Sequence, residues 1–94
     1  MIIAIVRFAL PDTMNAEQAT ELFRASAPKY EGLPGLVRKH YLFQPGTGGG
    51  VYYWESREAA EKLYTEEWRA GIAERFDSQP NIVFYDNPVV VDNT

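Results

Sequence analysis

The sequence contains no cysteine. A disulfide framework, a thiolate nucleophile and a cysteine-ligated metal are thereby excluded. Histidine occurs once, at His40, and no grouping of it with carboxylates has metal-ligand spacing. Long apolar runs are also missing. The most apolar segment, MIIAIVRFAL at the start, is about ten residues where a bilayer needs about twenty, and it lacks the basic n-region of a secretory leader. The net charge is −4 with both signs interspersed, which leaves no basic footprint for nucleic acid and no basic amphipathic face for a membrane. The expectation is a soluble, cytoplasmic protein. Gly48 to Gly50 form a glycine run, but it lacks the lysine and the strand-before, helix-after setting of a phosphate loop and reads as a flexible hairpin connection. No flavin or nicotinamide fingerprint occurs, so no prosthetic group is expected.

What is present is a core. Hydrophobic residues make up 46% and aromatics 14% of 94 residues, a composition that folds rather than stays disordered. One domain of this size buries only about 60–65% of its unfolded surface, so association would help it. Ile2 to Leu10 reads as a strand stopped by Pro11-Asp12. Asn15 and Gln18 have capping-box spacing, and Ala19, Leu22, Phe23, Ser26, Ala27 and Tyr30 form a helical stripe that Pro28 ends near Ala27. Leu36 to Phe43 and Val51 to Glu55 read as strands joined by the loop Gln44 to Gly50. Ser56 caps a second helical region with apolar positions Ala59, Ala60, Leu63 and Tyr64. Thr65 recaps it before Trp68, Ile72 and Phe76, so the region is expected in two pieces. Asn81 to Tyr85 is a last strand, with Val89 to Val91 as an extension beyond Pro88.

This order is that of an α+β, ferredoxin-like βαββαβ domain spanning residues 1–94, with a four-stranded antiparallel sheet and helices on one face. In the first strand Ile2, Ala4, Val6, Phe8 and Leu10 form an apolar row suited to meeting the helices, but the opposite row, Ile3, Ile5, Arg7 and Ala9, is nearly as apolar. A second face of this content would expose a patch of several hundred Å², which soluble monomers rarely tolerate. A second copy of the chain is expected to cover it, with a cavity left between the two sheets. On the second strand the rows Val37/Lys39/Tyr41 and Arg38/His40/Leu42 are equally mixed, so periodicity leaves open which of them faces a pocket.

The segments PGLVRKHYLF and GGGVYYWESREAAEKLY resemble the YdhR-type candidate mono-oxygenases, within the dimeric α/β-barrel superfamily that includes the antibiotic-biosynthesis mono-oxygenases. The resemblance covers nearly the whole chain and is sharpest at Pro34-Gly35, Gly48 to Gly50 and Tyr52 to Glu58. It implies a homodimer whose sheets face each other as a barrel. Activities in that superfamily range over cofactor-independent oxygenation of polyketide aromatics, haem degradation and isomerisation, so fold alone does not fix the reaction. Trp54 matches a pocket tryptophan of several of its oxygenases, and Arg7 falls where haem-degrading relatives place a polar residue. Those relatives also need a histidine near the position of Ile72, which is apolar here, so haem is not implied.

Each site residue carries two readings. Trp54 either packs in the core or stacks on a substrate. His40 is either a general base or a surface imidazole. Arg7, in an apolar row, needs an anion, either a carboxylate of this chain or its copy or an ionised substrate, and Arg38 shares that choice. Tyr30, Tyr52, Tyr53 and Tyr64 either present hydroxyls to a pocket or fill the core with wet tips. The functional expectation is a cofactor-independent mono-oxygenase for a small aromatic or polycyclic compound held between sheet and helices. Arg7 or Arg38 would hold the anion, His40 would move the proton, and Trp54, Tyr52, Tyr30 and Trp68 would line the ring. The alternatives are a non-catalytic dimeric module for a hydrophobic ligand and an isomerase on the same fold.

Overall fold

Capping side chains decide where the helices begin. Asn15 Oδ1 accepts from the Gln18 amide at 2.8 Å while Gln18 Oε1 accepts from the Asn15 amide at 2.9 Å, so the expected capping box forms. It opens α1 (Ala16–Ser26), which passes at Pro28 into a short 3-10 turn (Ala27–Lys29). Ser56 starts α2 (Arg57–Leu63) by accepting from the Ala59 amide, and Thr65 starts α3 (Glu66–Phe76) by accepting from the Trp68 amide. The two pieces expected of this region are therefore real, and each has its own cap. The computed structural model describes all residues, 1–94. Its strands are β1 (Ile2–Ala9), β2 (Leu36–Gln44), β3 (Thr47–Trp54) and β4 (Asn81–Asp86).

The strands form one antiparallel sheet in the order β2-β3-β1-β4, the ferredoxin-like α+β arrangement. Ala4, Val6 and Phe8 face the helices and pack with Ala19 and Phe23 of α1, Ala60 of α2 and Ile72 of α3. Trp54 is 0% exposed. Its ring stacks parallel to Tyr52 and meets Tyr64 edge-on, with the Trp54 indole N–H donating to the Tyr64 hydroxyl at 3.1 Å. No helix is long and apolar enough to cross a membrane.

Two local features differ from the sequence reading. Gly48 to Gly50 lie within β3 rather than in a loop, and the hairpin turns at Pro45-Gly46, where Gly46 takes φ 84°. The run is set by packing. A Cβ on Gly49 would overlap the Val6 carbonyl oxygen, and one on Gly48 would press on Leu10 and Phe8. The second feature is a bulge. Leu36 pairs with Trp54 but Arg38 pairs with Tyr53, leaving Val37 as an extra residue. The bulge flips parity: Leu36 faces the helices, and after it the odd row Lys39, Tyr41 and Phe43 takes that face. The tail Val89 to Val91 is not a strand, and its valines are 74%, 69% and 80% exposed.

Candidate active site between sheet and helices

The bulge brings a lysine in under the helices. Lys39 stands opposite Tyr52 in the register, and its side chain runs across Gly50, where a Cβ would come within 3.2 Å of Lys39 Cε. The amine ends among ring faces: Nζ lies 3.5 Å from the Tyr30 centroid, 3.9 Å from Tyr41 and 4.6 Å from Tyr52. No carboxylate balances it, because the ion pairs of the chain, Arg57 with Glu61 and Lys62 with Glu58, are exposed ones along α2. Burial lowers the Lys39 pKa from the ordinary 10.5 to about 7. The ring faces pull the other way, favouring the cation, which leaves an amine able to change charge near neutrality.

The tyrosines around it do not share that property. Burial pushes the hydroxyls of Tyr41, Tyr52 and Tyr64 upward, so they stay protonated at ordinary pH and serve as hydrogen-bonding walls. The Tyr41 hydroxyl and Ser26 Oγ are 2.6 Å apart, and Ser26 Oγ donates to the Phe23 carbonyl, which leaves Tyr41 as the donor of the pair. Tyr30 accepts from the Trp68 indole N–H at 3.3 Å, a long bond.

A cavity of about 30 Å³ lies between sheet and helices, with Lys39, Tyr30, Tyr41, Tyr52, Phe8 and Arg75 in its wall. It has room for a water-sized guest. Two larger grooves flank it. One, about 280 Å³, runs along the β2 edge past Tyr30, Lys39 and Tyr41; the other, about 380 Å³, lies between Tyr30 and α3 beside Trp68, Ile72 and Arg75. Tyr30 is common to the walls of all three spaces and stands at their junction.

The residues singled out in the sequence fall into two groups. Tyr30, Tyr52 and Trp68 border this region on the helix-covered face of the sheet. Trp54 is one layer deeper, in the core, and borders a separate apolar recess of about 240 Å³ beside Leu33 and Pro34. Arg7, Arg38 and His40 project from the opposite face of the sheet, where all three are exposed and His40 leans on Tyr53 at 5.6 Å. Arg38 also reaches the rim of the β2-edge groove, but neither it nor Arg7 nor His40 lines the cavity. One substrate therefore cannot be clamped by Arg7, deprotonated by His40 and sandwiched by Trp54 and Tyr52 at once, because the sheet stands between them. Lys39, Tyr41, Ser26 and Arg75 were not singled out. The available signal was a lysine within an aromatic-rich strand, hidden by the parity change at Val37.

This architecture has known counterparts. A candidate antibiotic biosynthesis monooxygenase from Deinococcus radiodurans superposes with a TM-score of 0.70 at 16% identity, over 100% of this chain and 99% of the other. SnoaB, a cofactor-independent oxygenase from Streptomyces nogalater, gives 0.66 at 14% identity, over 96% and 95%. The monooxygenase ActVA-Orf6 of Streptomyces coelicolor, solved with the ligand Nanaomycin D, gives 0.70 at 17% identity, over 99% and 92%. The chain has their fold. At such identity the likeness establishes architecture and not chemistry. No family model matches the sequence, and no curated protein matches it significantly.

Proposed function

We propose that the protein is a mono-oxygenase that needs no prosthetic group and acts on an aromatic compound with an acidic hydroxyl, with Lys39 as its general base. The observation that carries this reading is the Lys39 amine, shifted to about 7 and held at 3.5–4.6 Å from three tyrosine faces beside a small cavity between sheet and helices. The fold it shares with a cofactor-independent oxygenase and with a ligand-bound monooxygenase supports the reaction class. Neutral Lys39 takes the hydroxyl proton, and the resulting anion is electron-rich enough to reduce dioxygen at the activated ring carbon. A C–O bond forms to give a hydroperoxide. The peroxide takes back the proton that Lys39 removed from the hydroxyl, and loss of water then leaves a carbonyl. One oxygen atom thus stays on the substrate, and the other departs as water with that proton and the hydrogen of the ring carbon. The ammonium of Lys39, held among ring faces in a desolvated site, stabilises the anion electrostatically. Entry requires Tyr30 to swing and join the cavity to the flanking grooves, and its long bond to Trp68 is a weak latch.

Oxygen uptake with 1,8-dihydroxyanthrone as probe tests this. Wild type is expected to exceed the buffer rate, with uptake rising as pH increases through about 7, and Lys39→Met to lower turnover by about 10²-fold. Uptake no faster than buffer, or a variant as fast as the parent, overturns the reading.

A further inference from the structure

Arg75, in the last turn of α3, lines both the 30 Å³ cavity and the 380 Å³ groove. Lys39 and Arg75 are the charged groups in the wall of that cavity, and no acid joins them. The composition runs the other way, with thirteen Asp and Glu against nine Lys and Arg. Arg75 has no ion-pair partner in the chain. The acid that borders the outer groove, Glu67, lies two helical turns away, about 12 Å along the axis. Lys39 Nζ sits over the face of Tyr41, and Tyr41 and Arg75 border the same cavity.

We infer that the site takes a phenolic aromatic acid, with the hydroxyl presented to Lys39 and a carboxylate at the far end of the ring system paired with Arg75. The inference rests on the reading of this cavity as the substrate site. A guanidinium offers a planar, two-pronged donor set matched to a carboxylate. Arg75 is then the residue that determines specificity, separate from the base.

Calorimetric titration with 6-hydroxy-2-naphthoate and 2-naphthol tests this. Wild type is expected to bind the acid at least about tenfold more tightly, with the difference shrinking in about 0.5 M salt. Arg75→Gln should bring the acid down to the level of the naphthol while leaving naphthol affinity unchanged, and Arg75→Lys should keep part of the preference. Arg75 is exposed, so these variants should melt with the parent. Equal binding of the two compounds by wild type, binding of neither, or an Arg75→Gln variant that keeps the preference overturns the inference. An Arg75-dependent preference in a protein that consumes no oxygen upholds the ligand class and removes the oxygenase reading instead.

Discussion

Lys39 is a cation that the fold would hold more comfortably as a neutral amine. Its folded pKa is about 7 against an ordinary 10.5, so between those values the unfolded chain carries more protons and stability rises with pH. The penalty is complete below about pH 7 and is relieved as the amine loses its proton. Lys39→Met is therefore expected to raise stability near pH 7 by about 2 kcal/mol and to flatten the slope between about pH 7 and 9.5. Urea unfolding at several pH values measures both. The window stops short of tyrosine ionisation, which the buried Tyr52 and Tyr64 would bring in above about pH 10. A variant that is less stable and keeps the parent's slope would show that the amine is not desolvated. Periodicity could not nominate this lysine, because with the bulge unseen both rows of β2 looked alike. Trp54 was conspicuous for its type, yet an indole with no exposure is matched to its neighbours rather than to a guest.

At the level of elements, what could be read was whatever depends on neighbours in sequence: the Asn15 box, the Ser56 and Thr65 caps, and the stop at Pro28. What could not be read depends on another strand. Gly48 to Gly50 looked like a turn because glycine's commonest local use is conformational, whereas here it lets β1 and β3 approach and leaves floor space for Lys39. Two alanine substitutions separate these uses. Gly49→Ala, whose Cβ would overlap the Val6 carbonyl oxygen, is expected to cost about 3 kcal/mol or more, and Gly71→Ala, at an exposed position of α3 with nothing within 4 Å, to stabilise by about 0.5–1 kcal/mol. Thermal melts of the pair decide it. A harmless Gly49→Ala would mean that the strands can part without loss.

For the whole molecule, the uncovered face is the outstanding feature. Ile3, Ile5, Val51 and Val83 share it with Leu42, 37% exposed, and Tyr85, 54% exposed. We propose that a second copy packs there, so sedimentation at micromolar concentration is expected to give twice the 10.7 kDa chain mass, and Leu42→Asp to shift the protein to monomer. A soluble wild-type monomer would end that proposal. Removal of the tail after Asn87 should weaken the dimer if Val89 to Val91 lie against the other copy, and leave it unchanged if they do not. The two tryptophans have a further, optical consequence. Trp54 is sealed in the core with its N–H on Tyr64, while Trp68 is half-buried at the groove with its N–H on Tyr30. Emission from Trp54 should be blue and constant, a reference that responds only to unfolding. Emission from Trp68 should redden when Tyr30 lets go, so the protein carries its own reporter of each ligand's entry.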